Sequence, residues 1–229
     1  MNRQSLATLI AATALAGAAH AADIPKSLET MGIKIGDTQQ QVEKVLFADG
    51  YKPNRTHVRP ADTVYAARPD NIEYTVPNMP KRSRVTVTYG PMDGRVVQIE
   101  RSAEVFEQKV LNEELRKQLQ EKYGQLPPGE GKYGDMHWVR TKTGKSEFEC
   151  FARNASITFA HALLMNKMLK CDKAVTVAIA GDSTWATAIS VTIVDFDTAL
   201  KNLQPIAAAA EKAKQDDINA AKKAPPPKL

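Results

Sequence analysis

The sequence predicts an α+β fold: helices packed on one face of an antiparallel sheet, arranged as a duplicated helix-plus-strands unit. Three observations carry that class. Residues 84–89 with 95–100, and 174–179 with 188–194, alternate with period two on either side of short turns, as paired antiparallel strands do. Residues 104–123 place Leu111, Leu115, Leu119 and Tyr123 four apart, the spacing of a helix with one buried stripe. Each half also runs in the same order: a helix, a glycine–tyrosine pair (Gly50 with Tyr51, Tyr123 with Gly124), then strands.

The chain opens on a leader. Arg3 gives a positive start, an Ala/Leu/Ile run follows from Leu6, and Ala19-His20-Ala21 supplies the small-x-small pattern of a signal-peptidase cut. The run is too short and too weakly apolar for a spanning helix, and no later segment is apolar enough to cross a bilayer. The expectation is a periplasmic or secreted protein cut after Ala21, with no cysteine at the cut for a lipid anchor. Removing 21 of 229 residues leaves 208 and, with Arg3 gone, takes the net charge from +5 to +4. The expected division is 1–21 signal peptide, 22–102 first α+β unit, 103–200 second unit, and 201–229 an Ala/Lys/Pro-rich helical or disordered tail.

The first helix begins near Asp37 and Thr38, where Thr38 and Gln41 fit a capping box; Val42, Val45 and Leu46 form its buried stripe and Gly50 ends it. Residues 63–66 and 72–76 read as short strands. Residues 91–94, with Asp93-Gly94, turn the first clear hairpin. The best helix of the chain reads as 104–123, stopped by Gly124 and the prolines Pro127 and Pro128. Residues 136–141 and 146–152 flank a second turn at 142–145, and 156–169 reads as a short helix or irregular core. Gly181, Asp182 and Ser183 turn the last hairpin, after which Asp197 or Thr198 caps a helix through Ala199, Leu200 and Leu203. Residues 207–223 have high helix propensity but little apolar stripe, so they read as a solvated helix.

Cys150 and Cys171 are the two cysteines, and an even pair in an exported chain reads as one disulfide. It closes a loop of about 20 residues, a constraint of roughly 3 kcal/mol in the chain-entropy model. Neither cysteine sits in a CxxC or beside a histidine, as a redox or nucleophilic thiol would. The histidines after the leader, His57, His137 and His161, share no metal-ligand spacing, and no cofactor or metal is expected. No nucleophile elbow or P-loop is present. Asp195 and Asp197 share a strand face but supply only two ligands to a cation. Nucleic acid is a poor fit for an exported chain without an Arg/aromatic cluster.

The aromatic residues are the better clue. Trp185, beside a hairpin turn, reads as an interface anchor, with Trp138 and the strand tyrosines Tyr65, Tyr74 and Tyr89 as further candidates. The tyrosines serve equally well as core fillers.

The stretch from Gly32 to Thr38 (Gly-Ile-Lys-Ile-Gly-Asp-Thr), with Val42, Leu46, Gly50 and Tyr51, resembles the helix entry of the SmpA/OmlA (BamE-like) and β-lactamase-inhibitor-protein-like group of bacterial envelope folds. So do the exit Tyr123-Gly124-Gln125-Leu126-Pro127, Trp138, and the two cysteines. The resemblance implies helices on an antiparallel sheet, in tandem, and a protein partner on the sheet's open face.

The expected function is therefore non-catalytic: an exported protein that binds another protein or an envelope component through a sheet face or loop rim. The rival is a small-ligand carrier or hydrolase using His137 or His161 with Asp135, Asp195 or Asp197. A cleft holding a histidine against a carboxylate would favour the rival; an open sheet with an exposed Trp185 would favour the binder. A third reading tethers the protein to the envelope through its Ala/Lys/Pro tail.

Overall fold

The computed structural model describes residues 25–59, 68–78, 84–126, 135–141, 162–163, 165–166 and 170–223. A ribbon of β1 (Glu29–Thr30) and β2 (Ile33–Lys34) turns through Met31 and Gly32, both at positive φ, the backbone of a tight hairpin. Helix α1 (Gln39–Ala48) starts on the expected capping box. The Thr38 N–H donates to Gln41 Oε1 at 2.8 Å, while the Gln41 N–H donates to Thr38 Oγ1. Val42 and Leu46 are its buried residues, and Gly50 leaves the helix at a φ of 81°.

Strands β3 (Lys52–Arg59), β4 (Arg68–Thr75), β5 (Val85–Tyr89) and β6 (Val96–Leu111) then form an antiparallel meander. Helix α2 (Asn112–Tyr123) follows, then β7 (Met136–Thr141), β8 (Cys171–Gly181), β9 (Trp185–Asp195) and α3 (Phe196–Lys223). The seven long strands make one sheet in the order β3-β4-β5-β6-β9-β8-β7. The last strand of each half is central, and the halves meet where β6 pairs with β9.

Strand alternation separates two cores. Ile72, Tyr74, Val87, Ile99, Val175 and Ile193 face α1 and α2, and pack with Val42, Leu46, Leu115, Leu119 and Tyr123. Val97, Val139, Ala174 and Val194 face the other way and pack with Phe196, Ala199, Leu200 and Leu203 of α3. The expected arrangement thus holds for α1 and α2, and α3 covers part of the opposite face.

Two elements differ from the sequence expectation. The helix expected over 104–123 begins only at Asn112, and its first eight positions belong to β6. Strand β9 offers these residues a ladder, pairing Val105 with Ala188, Val110 with Ala186 and Leu111 with Trp185 across two register shifts. Leu111 is extended (φ −63°, ψ 128°), and the Asn112 N–H donates to the Thr184 carbonyl. Strand β3 falls where the chain reads as a helix exit. It is an edge strand carrying Pro53 and the cations Lys52, Arg55 and Arg59, features that protect a sheet edge from stray pairing.

Helix α3 is capped by Asp195, whose Oδ1 accepts the Thr198 N–H at 2.8 Å, two to three residues before the expected caps. At 28 residues it is one continuous helix through Pro205. In its first two turns Phe196, Ala199, Leu200, Asn202 and Leu203 are buried, while residues 211–220 are exposed, as the solvated-tail reading expects. Among the described residues no helix is long and apolar enough to cross a membrane. The expected strands at 63–66 and 146–152, the turn at 142–145 and most of 156–169 lie outside the described residues.

Candidate functional site

Between the β3–β4–β5 surface and the first turns of α3 lies a cleft of about 290 Å³. A β-bulge builds its polar wall. The β3–β4 register pairs His57 with Asn71 and Val58 with Pro69, leaving Asp70 as the extra residue. A bulge re-aims a side chain that strict alternation would send to the other face. The Asp70 carboxylate accordingly meets His57 and Arg59 of β3. His57 Nδ1 lies 2.6 Å from Asp70 Oδ1, and Arg59 Nε and Nη2 donate to Oδ2 at 3.2 and 3.1 Å. Both carboxylate oxygens are therefore engaged. The imidazole is 72% exposed while Asp70 is 12% exposed, so a largely buried acid orients an accessible ring. Asn71 Nδ2 donates to Thr88 Oγ1 beside this group, and Pro91, Val97 and Leu203 give the cleft an apolar side.

Asn202 closes the cleft. Its Oδ1 accepts the backbone N–H of Met92 at 3.1 Å and of Asp93 at 3.2 Å. Its Nδ2 donates to Asp93 Oδ2 and to the Thr198 carbonyl. One side chain thus pins α3 to the β5–β6 turn.

The second exposed feature is the tip of the β8–β9 hairpin. Trp185 opens β9 at 38% exposure, directly opposite Leu111 at 48%. Ala186 belongs to the α1/α2 core, so alternation places Trp185 and its partner Leu111 on the opposite face. Val105, 46% exposed, joins them through its pairing with Ala188. The tip is braced. Asp182 Oδ1 accepts the N–H groups of Trp185 and Thr184, each at 2.8 Å, which holds this carboxyl below its ordinary range. Asn112 Nδ2 donates to the Asp182 carbonyl at 2.5 Å, tying the turn to the start of α2.

Of the other aromatic candidates, Trp138, Tyr74 and Tyr89 are buried in the core: Trp138 is no interface residue, and the two tyrosines take the core-filling role the sequence equally allowed. Trp138 is fully buried, its Nε1–H donates to the Gly124 carbonyl at 2.6 Å, and its ring lies 5.2 Å from that of Tyr123. Tyr74 and Tyr89 are buried with their hydroxyls 3.5 Å apart. Burial pushes the Tyr74 and Tyr123 phenols up to about 12, from 10.0, and raises Tyr89 further. Between these values the unfolded chain loses phenolic protons that the folded chain keeps. Stability is therefore expected to fall as pH rises above about 10, with the loss continuing towards about 12. Urea midpoints from about pH 9 upward check this. A midpoint that stays flat to about pH 11, or a slope unchanged in Tyr74→Phe, would refute it.

Tyr65, Cys150 and His161 lie outside the described residues. Cys171 is fully buried at the start of β8. The carboxylates proposed for a hydrolytic cleft have structural partners. Asp195 caps α3 and pairs with Lys173 at 3.6 Å, and Asp197 pairs with Lys201 at 2.6 Å. His137 meets Thr176 Oγ1 across the β7–β8 ladder at 3.2 Å, and Asp135 is exposed before β7. His57 meets a carboxylate in a cleft instead. Its one sequence signal was a basic pair two apart, His57 and Arg59, which share a strand face.

No known protein family, curated protein or solved structure matches this chain.

Proposed function

We propose that this is an exported binding protein of the bacterial envelope. In this reading the leader is cut after Ala21, Cys150 and Cys171 form a disulfide, and the protein acts without catalysis. It meets another protein, or an envelope component, with the sheet face and hairpin rim opposite α1 and α2. The resemblance to the BamE-like and β-lactamase-inhibitor-protein-like group implies the same use of the sheet.

The observation that carries the reading is the exposed Trp185–Leu111 pair on a braced tip. A large aromatic carried on a backbone that is already fixed costs little further ordering on docking, and interface energy concentrates in such anchors. Burial of Cys171 and the even cysteine count support the disulfide.

The test is in-cell crosslinking and pull-down of the protein from the envelope, read by mass spectrometry beside Trp185→Ala. One dominant protein partner, lost in the variant, is expected. Intact mass of the same sample should start at Ala22 and be lighter than the dithiol form by two hydrogens. No enriched partner, or an equal yield with the variant, would sink the docking reading.

A second reading has one specific observation in its favour. The 2.6 Å contact between His57 and Asp70 gives the cleft the histidine–carboxylate pair that a small-ligand carrier or a hydrolase needs.

A further inference from the structure

We propose that the cleft between the sheet and α3 binds an apolar carboxylate, the anion on Arg59 and the hydrocarbon on Pro91, Val97 and Leu203. This site is separate from the Trp185 hairpin, so it stands whether or not the hairpin docks a protein.

The charge preference follows from how Asp70 is used. Its Oδ1 is taken by His57 and its Oδ2 by two nitrogens of Arg59. The carboxylate is thus spent on protein donors and offers an incoming cation little. A guanidinium carries five N–H donors in a planar fork. Asp70 takes the Nε side of Arg59, and the Nη1 edge carries donors that Asp70 does not engage. A fork edge fixed by a second carboxylate matches the two oxygens of a ligand carboxylate, bidentate and in one plane. Thr88 adds a donor, since its Oγ1 accepts from Asn71 and its own O–H is left to give.

The size preference follows from the volume. A cleft of about 290 Å³ sits at the small end of ligand pockets, which run from about 300 to 1,000 Å³, and suits a short chain of carbons better than a larger ring system. The apolar side, supplied by Pro91, Val97 and Leu203, lines the same cleft as Arg59. The same chemistry comes from two sources: a free short-chain carboxylic acid, or the C-terminal carboxylate of a peptide ending in an apolar residue.

The test is a titration of the purified protein followed by amide NMR, with 4-methylpentanoate as probe. Shifts are expected at Asn71, Thr88 and Gly90 and at the Asn202 side-chain amide. Its cationic counterpart, 4-methylpentylamine, should bind at least about tenfold more weakly, and Arg59→Gln should cost the carboxylate about tenfold. A second arm compares Ala-Ala-Gly-Leu with the same peptide amidated. Tighter binding by the free-acid peptide than by 4-methylpentanoate assigns the site to chain ends, and the reverse assigns it to free acids. Equal binding of amine and carboxylate overturns the proposal without any variant. So does equal binding of acid and amide peptides, or the absence of shifts with carboxylate into the millimolar range.

Discussion

Trp138→Ala is expected to lower the unfolding free energy by about 3–5 kcal/mol. The ring is fully buried in the core shared by α2 and the sheet. Its removal deletes the tilted contact with Tyr123 and leaves the buried Gly124 carbonyl without the indole donor. That carbonyl lies just past the end of α2, so the loss falls on the junction between helix and sheet. A domain of this size holds about 5–15 kcal/mol in total, so the variant should be partly unfolded or close to it. Trp138→Phe keeps most of the apolar area and should cost less, about 1–3 kcal/mol, chiefly through the lost hydrogen bond. Trp185→Ala, at the exposed tip, should change stability by under about 1 kcal/mol. Urea unfolding followed by far-UV circular dichroism reads all three without depending on tryptophan emission. A Trp138→Ala cost below about 1 kcal/mol, or one equal to that of Trp185→Ala, would show that the two aromatic roles are misassigned.

That contrast between two tryptophans was not legible in composition. Both stand on strands, each followed by one apolar residue, Val139 or Ala186, and alternation cannot say which face another element will cover. Trp138 is covered because β7 pairs with β8 and the end of α2 reaches it through the Tyr123 ring and the Gly124 carbonyl. Trp185 escapes because it begins its strand at the far end from α3. Where the sequence did speak, the signal was local. The capping box of Thr38 and Gln41, the positive-φ glycines at Gly50 and Gly94, and the β8–β9 hairpin each depend on residues a few positions apart. The leucine spacing of 111–123 was real but over-extended. Leu115, Leu119 and Tyr123 are the buried helix residues, while Leu111 pairs with Trp185 on the ladder. A four-residue spacing is also an even one, so it suits a strand face as well as a helix face, and the available partner strand decides.

The cleft was hidden for a different reason. Asp70 reaches His57 only because a bulge interrupts β3–β4 pairing, and bulges leave no period in a sequence. Asn202 reaches the β5–β6 turn across more than 100 positions of chain. The tail reading began at residue 201, yet Asn202 and Leu203 are buried, and it gave no hint that this helix carries a wall of the site. Topology, not local pattern, assembled this place where a histidine, an acid and a guanidinium meet beside an apolar surface.

The same long-range closure yields the second large effect. Gly90→Ala is expected to destabilise by about 3 kcal/mol. A Cβ built there would lie 2.5 Å from Cγ and Oδ1 of Asn202 and 2.6 Å from Asp93 Oδ1. These atoms have little freedom to retreat, because Asn202 is held by two backbone donors from the turn and by its own bonds to Asp93 and Thr198. Displacing it breaks the tie between α3 and the β5–β6 turn and opens the cleft. A double-mutant cycle separates this cause from a generic glycine effect. Asn202→Ala removes the clashing Cγ and Oδ1, so Gly90→Ala should cost at least about 1 kcal/mol less in that background. Part of the cost should persist, since Asp93 Oδ1 remains in the way. If the two substitutions add without coupling, Asn202 is not the latch. If they couple, the carboxylate titration repeated on Asn202→Ala asks whether the latch shapes the cleft as well as the fold. Weaker binding with unchanged charge selectivity is expected, because Arg59, His57 and Asp70 stand on strands that α3 does not order.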